Sequence, residues 1–134
     1  MMWVIDTSAL IRLYVPDGPL HPEAETAFNR AASGAELVLA PQLILAEAAN
    51  VLLRKRRRGE LSSPELGELL QALVTLPIRL CEHAPLIFPA CALAEAHGLS
   101  IYDALYLALA EQHGARLITS DDALDKVAHK LGLT

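Results

Sequence analysis

The sequence is poor in the residues that mark several common kinds of site. It holds only two cysteines, Cys81 and Cys91, which form no Cys-x-x-Cys pair. Isolated cysteines fit reduced thiols better than a disulfide framework or a zinc site. The five histidines show no zinc-binding spacing, and the chain has neither a Gly-x-Ser-x-Gly sequence nor a glycine-rich phosphate loop. Serine-hydrolase, zinc-enzyme and nucleotide-loop functions are therefore excluded.

Long apolar runs and an excess of positive charge are also missing. No stretch approaches the roughly 20 apolar residues of a membrane span, so we expect a soluble, cytoplasmic protein. The net charge is −5, whereas domains that bind nucleic acid by their overall charge usually have a pI above about 9. Any contact with nucleic acid must then be local. The basic stretch from Arg54 to Arg58, with five of the eleven lysines and arginines, is the candidate.

What remains is the composition of one globular domain over residues 1–134, with 53% apolar residues. Short apolar runs predict strands at residues 3–5, 36–40, 77–81 and 116–119. Helix start and stop signals predict helices over residues 9–14, 22–32, 42–58, 63–75, 83–97, 101–113 and 123–131, with a bent or late start at Pro85 and Pro89. Alternating strands and helices predict an α/β fold with a mostly parallel central sheet of four to five short strands flanked by helices.

Acidic residues follow two of the predicted strands. Asp6 comes directly after the first strand and Asp121 after the last. In parallel sheets of this kind, ligands bind outside the carboxyl ends of the strands. Asp103 follows Ser100 in a capping-box pattern. Taken singly, each of these acids is equally well explained as a helix-capping residue.

Glu47 is harder to explain as a structural residue. Between Leu43 and Leu53 the only polar residues are Glu47 and Asn50, which share one helix face. This apolar segment predicts a helix buried on most sides, and a buried ionised glutamate is costly unless it is paired or bound to metal. A narrow solvated stripe along the helix is the alternative.

Together the four acids suggest a metal site. Carboxylates brought close together repel one another, and a divalent cation relieves that repulsion. Oxygen ligands without histidine or cysteine indicate Mg²⁺ or Mn²⁺, and acidic magnesium sites commonly catalyse attack of water on phosphate. Hydroxyls that could support the ligands, or simply cap helices, are Thr7, Ser8, Thr119 and Ser120.

Three segments together resemble the PIN-domain family, and within it the small VapC-type toxins of bacterial and archaeal toxin–antitoxin pairs. They are Val4–Leu10, Leu45–Leu52 and the block from Ser100 through Tyr106 and on to Asp121. The resemblance implies a single PIN-like domain that is a Mg²⁺-dependent endoribonuclease. It makes Asp6, Glu47 and Asp103 the central catalytic acids and metal ligands, with Asp121 the fourth.

The same resemblance implies partners. RNA would be hydrolysed to a 5′-phosphate and a 3′-hydroxyl, a cognate antitoxin would block the site with its tail, and the toxin would form a homodimer. The sequence departs from the family pattern at two places. Asp122 competes with Asp121 for the role of fourth acid, and Pro41-Gln42 stand where many relatives carry serine or threonine.

The basic stretch has two interpretations. Arg54, Arg56 and Arg57 could bind RNA phosphates or an acidic antitoxin segment, or they could simply stabilise the C-terminal end of a helix. A different class of function is a non-catalytic RNA- or protein-binding module with the same fold. An aspartyl-phosphate phosphatase is disfavoured, because that chemistry expects an acid two residues after Asp6, where this chain has Ser8.

Overall fold

Four short parallel strands form the centre of the molecule in the computed structural model, which describes residues 1–134. They are β1 (Met2–Ile5), β2 (Leu37–Pro41), β3 (Arg79–Cys81) and β4 (Arg116–Ile118). All neighbouring strands pair in parallel, in the order β3-β2-β1-β4. The predicted α/β fold with a parallel sheet of four strands is confirmed.

Seven α-helices connect and cover the strands. They are α1 (Thr7–Ile11), α2 (Ala24–Ala32), α3 (Leu43–Arg57), α4 (Ser63–Val74), α5 (Ile87–His97), α6 (Ile101–His113) and α7 (Asp122–Lys130). Every predicted helix is present. α1 ends three residues before the predicted residue 14, because the N–H groups of Tyr14 and Val15 both turn back to the carbonyl of Ile11. α5 starts late, as expected, after a 3₁₀ turn that contains Pro85.

Local signals explain most helix ends. Ser62 and Glu65 form the full capping box at the start of α4. α5 and α6 both end at a glycine in the left-handed conformation, Gly98 with φ 66° and Gly114 with φ 58°. A side chain at these positions would be strained, so glycine fixes where each helix stops. These boundaries are set by residues close together in the chain, which is why the sequence predicts them.

α6 is the most enclosed helix. Its residues from Ala104 to Ala110 are all buried, and it packs against β1 and β2 and against α5. No single helix is long and apolar enough to cross a membrane. Only α5 with its 3₁₀ turn and α6 taken together reach that length and composition, and they are bent by 114° relative to each other.

α3 is buried or half-buried except along one narrow stripe and in its last turn. Its buried residues are Ile44, Ala48, Leu52 and Lys55, whereas Ala46, Asn50 and Arg54 are exposed. The helix is thus covered on most sides, as predicted, and it also carries the narrow solvated stripe. α3 packs against α1 and α4 and leaves this stripe to solvent. Apolar periodicity does not reveal this, because small residues such as Ala46 cost little when exposed.

The strand order creates a crevice between β1 and β4. β2 and β3 are added on one side of β1, and the chain then returns to place β4 on the other side. Connections leave β1 and β4 in opposite directions at such a reversal, so the space beyond their carboxyl ends is left open. Asp6 follows β1 and Thr119 follows β4 at this edge.

Candidate functional site

Asp6 is buried at the end of the central strand, with 3% of its surface exposed. Its Oδ1 accepts hydrogen bonds from the N–H of Ala9 at 3.0 Å and from the hydroxyl of Ser8 at 2.8 Å. Its Oδ2 accepts a hydrogen bond from the hydroxyl of Thr119. Asp6 does cap α1, as the simpler interpretation expects. Its burial and its ties to two strand ends go well beyond that role.

Burial, with a smaller contribution from the negative charge of Asp103, raises the pKa of Asp6 to about 6. Hydrogen bonds from Thr119, Ala9 and Ser8 act in the opposite direction. The charged form of Asp6 is therefore held by neutral donors alone.

Hydroxyls join the ends of β1 and β4. Ser8 Oγ lies 3.2 Å from Thr119 Oγ1 and accepts the N–H of Ser120 at 2.9 Å. Thr119, which is buried, accepts the N–H of Asp121 at 3.1 Å. The supporting residues Ser8, Thr119 and Ser120 thus form one network around Asp6. The Thr7 hydroxyl is hydrogen-bonded to a different acid, Glu47.

Glu47 is bound by two hydroxyl groups on a single oxygen. Its Oε1 accepts a hydrogen bond from Thr7 at 2.9 Å and another from Tyr106 at 2.6 Å. Tyr106 is 2% exposed, and burial raises the pKa of its phenol far above the ordinary range, so it remains a donor. Tyr106 is not among the site residues predicted from the sequence. A signal was present, because Tyr106 lies one helical turn after Asp103 on α6.

Asp103 is half-buried in the first turn of α6. Ser100 accepts its backbone N–H at 3.1 Å, but the reciprocal bond of a full capping box is not made. Burial raises the pKa of Asp103, and the negative charges of Asp121 and Glu47 raise it further. Asp103 thus interacts electrostatically with Asp6, Glu47 and Asp121. The structure brings the four acids to one edge of the sheet.

Asp121 and Asp122 have different surroundings. Asp121 caps α7 through a 2.9 Å bond from the N–H of Leu124 to its Oδ1, and its charge acts on Asp103. Asp122, which is exposed as Asp121 is, lies in the first turn of α7, makes no side-chain hydrogen bond and is not among the charges that shift the pKa of Asp103. The geometry therefore favours Asp121 as the fourth acid.

The start of α3 is held by a residue that the sequence analysis did not single out. Gln42 at the N-cap makes no side-chain hydrogen bond, so it does not cap the first N–H groups of α3. His83, just after β3, supplies the cap instead, because its Nε2 accepts the N–H of Leu43 at 2.8 Å. This long-range cap fixes the beginning of the helix that carries Glu47.

The other predicted site residues lie along α3. Asn50 is exposed and makes no hydrogen bond, so it does not join the network around Glu47. Two cations of the basic stretch are already paired, buried Lys55 with Asp17 at 2.8 Å and Arg58 with Glu60 at 3.0 Å. The cations that remain exposed and without an ion pair are Arg54, Arg56 and Arg57.

The acidic edge is the edge of the sheet beyond β1 and β4 that carries Asp6, Glu47, Asp103 and Asp121. Its carboxylate oxygens are suitable ligands for a hard divalent cation. No group of three His, Cys, Asp or Glu side chains is placed to hold an ion by itself. Mg²⁺ does not require such a group, because it commonly binds through one or two carboxylates and keeps several waters. None of the ion pairs involves Asp6, Glu47, Asp103 or Asp121, so no cation of the chain relieves their repulsion by direct contact. A cation would relieve it.

The acidic edge is open. The three surface cavities, of about 240, 350 and 300 Å³, are lined by other residues. Small-molecule sites are usually concave pockets that bury most of the ligand. An open edge suits a large substrate better.

The chain is similar to known proteins in sequence. Residues 3–130 match the PIN domain. Ribonuclease VapC3 of Pyrobaculum aerophilum is 36% identical over 126 residues, which are 92% of both chains.

Solved structures show the same fold. PAE2754 from Pyrobaculum aerophilum is similar with a TM-score of 0.68 and 25% identity, covering 92% of this chain and 77% of that one. VapC20 of Mycobacterium tuberculosis, a toxin that cleaves the sarcin-ricin loop, has a TM-score of 0.65 and 19% identity, covering 93% and 94%. A toxin–antitoxin complex from Klebsiella pneumoniae has a TM-score of 0.52 and 21% identity, covering 88% and 85%.

The raised pKa of Asp6 predicts a pH-dependent stability in the absence of metal. The folded state binds the proton more tightly than the unfolded chain, because the pKa rises from 3.8 to about 6 on folding. The contribution of Asp6 to stability is thus greatest at low pH and is lost as the pH rises through about 6. Asp6→Asn should remove this dependence. The free energy of unfolding is measured in urea with EDTA for both proteins. The difference between Asp6→Asn and wild type should shift in favour of the variant by about 1–3 kcal/mol from about pH 4.5 to about pH 7.5. Parallel curves would contradict the assignment.

Proposed function

The chain belongs to the PIN-domain family, and on this basis we propose that it is a Mg²⁺-dependent endoribonuclease that acts as the toxin of a toxin–antitoxin pair. The observation that carries the proposal is the convergence of Asp6, Glu47, Asp103 and Asp121 at the open edge beyond β1 and β4, with no cation of the chain among them. The likeness to a relative named as a ribonuclease supports the choice of RNA as substrate.

Asp6, Glu47 and Asp103 would hold Mg²⁺ or Mn²⁺, with Asp121 as the fourth acid. A bound ion of this kind supplies an activated water and neutralises charge on the attacked phosphate and on the leaving oxygen. The oxygens that accept no hydrogen bond from the protein are both oxygens of Asp103, Oε2 of Glu47 and Oδ2 of Asp121. Oδ2 of Asp6 accepts a single bond, from Thr119, and keeps a second lone pair. These are the atoms able to act as ligands or to hold waters.

The remaining polar residues orient the acids. Ser8 and Thr119 hold Asp6 from opposite strand ends, and Thr7 holds Glu47. Ser120 ties the loop after β4 to Ser8 through its backbone N–H. Because these donors are already in place, little reorganisation is needed when charge develops at the phosphate.

RNA would extend from the acidic edge along α3. Arg54 lies on the same face as Glu47, two turns or about 10 Å further along the helix. Arg56 and Arg57 follow in the last turn. Unpaired guanidinium groups at this distance can hold phosphates while the overall charge of the chain stays negative. The cytoplasm is the compartment proposed, because RNA is present there and free Cys81 and Cys91 remain reduced.

A cognate antitoxin would inhibit the toxin by covering the acidic edge. The same unpaired arginines on α3 offer it an anchoring point for acidic side chains. The likeness to a solved toxin–antitoxin complex supports this kind of partner.

The exposed face of α5 is the proposed contact between two copies of the chain. From His83 to Ala94 there is no Asp, Glu, Lys or Arg, yet in this segment only Leu86 and Ala90 are buried. Phe88 is 88% exposed and Ile87 43%. A helix that is apolar on all sides is normally covered. Because each copy carries a charge of −5, an uncharged face allows two copies to meet without like charges at the contact.

The activity is tested with pure, antitoxin-free protein and labelled RNA in Mg²⁺. Asp6→Asn and Asp103→Asn should each lower cleavage by about 100-fold or more, because each removes a metal ligand. Asp122→Asn is the matched control beside Asp121 and should cleave as wild type does, whereas Asp121→Asn should not. Cleavage must also disappear in EDTA.

The same assay separates the two classes of function. Cleavage by Asp6→Asn at the wild-type rate would refute the proposed site. If the wild type binds RNA but cuts none of the RNAs offered with Mg²⁺ or Mn²⁺, the protein is a binding module instead.

Replacing Arg54, Arg56 and Arg57 together by glutamine tests the proposed path of RNA. Binding of single-stranded RNA in EDTA, followed by fluorescence anisotropy over a range of salt concentrations, should show a log–log salt slope smaller by about 2. Arg58→Gln is the control, since Arg58 already pairs with Glu60 at 3.0 Å. An unchanged slope together with a lower helix stability would leave only the helix-stabilising role.

Phe88→Asp tests the dimer contact. A charge at the centre of an apolar interface is costly when buried, so the variant should elute as a monomer at a concentration where the wild type is a dimer, by light scattering. Val74→Asp is a control with a comparably exposed side chain, 64%, outside the α5 face. A wild type that is monomeric at all concentrations, or a dimeric Phe88→Asp, would contradict the assignment.

A further inference from the structure

We propose that Tyr106, together with Thr7, is a positioning residue that holds one carboxylate oxygen of Glu47 so that the other stays available to a divalent cation. This inference rests on the proposed function, since it concerns the same acidic edge. Tyr106 itself touches neither RNA nor metal in this role. It acts through Glu47.

The two hydrogen bonds give the two oxygens of Glu47 different roles. Tyr106 and Thr7 both donate to Oε1, at 2.6 and 2.9 Å, and Oε2 accepts none. A carboxylate oxygen has about two lone-pair sites, so Oε1 is fully used and Oε2 is free. A glutamate otherwise loses rotamer freedom when an ion fixes it. Here that ordering is complete before an ion arrives.

The hydroxyl groups also link the elements that carry the central acids. Tyr106 lies one turn after Asp103 on α6, and Thr7 directly follows Asp6. Because both meet at Glu47 on α3, their bonds couple the positions of all three acids. The Thr7 and Tyr106 oxygens are themselves 3.1 Å apart. The three side chains thus form a closed triangle.

Packing alone does not require the phenol oxygen. Tyr106 is 2% exposed, and its ring fills the core beside other buried residues of α6. A phenylalanine would fill the same volume. Tyr14, which is half-buried three residues after the end of α1, makes no side-chain hydrogen bond and provides a comparison within the same chain.

Binding of Mn²⁺ to the metal-free, full-length protein, measured by titration calorimetry, tests the role without relying on activity. Tyr106→Phe should bind Mn²⁺ about 10-fold or more weakly, the range found when a ligand loses its supporting partner. Tyr14→Phe should bind as wild type does. Thr7→Val should also weaken binding, and Thr7→Ser, which keeps the hydroxyl, should restore it.

A double-mutant cycle decides whether Tyr106 acts through Glu47. In the Glu47→Ala background, Tyr106→Phe should cause no further loss of Mn²⁺ affinity, because the residue that it positions is gone. An equal loss in both backgrounds would show a general effect on the fold and would overturn the proposal. With RNA, Tyr106→Phe should lower kcat and leave KM unchanged.

The failure of this inference differs from the failure of the proposed function. If the wild type binds Mn²⁺ and cuts RNA while Tyr106→Phe binds Mn²⁺ equally well, only the positioning role is refuted. If the wild type neither binds Mn²⁺ nor cuts RNA, the proposed function is refuted and the positioning role with it. Should Tyr106→Phe fail to fold by circular dichroism, the pair Thr7→Val and Thr7→Ser carries the test.

Discussion

The site depends on a negative charge that the fold buries without a positive partner. Asp6 stands at the end of the central strand with 3% of its surface exposed, and only neutral donors reach it. Buried charges are normally paired or bound to metal, because the loss of solvation is otherwise not recovered. Ser8, Ala9 and Thr119 recover part of it. The other acids at the same edge add electrostatic repulsion, which a bound cation would relieve.

The topology is what places those acids together. β4 returns beside β1 after β2 and β3 have been laid down on the other side, and this brings Thr119 next to Asp6 and Asp121 next to Thr119. The enclosed helix α6 carries Asp103 on its first turn, and its packing against β1 and β2 keeps that turn in place. A rigid support of this kind is what a preorganised site needs.

The surface of the chain is divided by charge. Acids collect beyond β1 and β4, unpaired arginines at the far end of α3, and an uncharged apolar face on α5. Lys55 lies within the basic stretch but adds nothing to this basic surface, because it is buried and paired with Asp17. A protein with a net charge of −5 can therefore offer a local basic surface.

Residues close together in the chain set the local features of this protein. Apolar runs and caps such as Ser62 and Gly114 gave the strands and helices, and the ordered motifs gave the resemblance to the PIN-domain family, which the match over residues 3–130 confirms. The acids could be selected because Asp6 and Asp121 follow strands, Glu47 interrupts an apolar helix and Asp103 lies in a capping-box pattern. Only the tertiary structure decided which groups hold them. Tyr106 meets Glu47 from 59 residues away, and His83 caps α3 from 40 residues away. Such contacts leave no periodic trace in the chain, because they depend on how elements pack and not on the residues beside them.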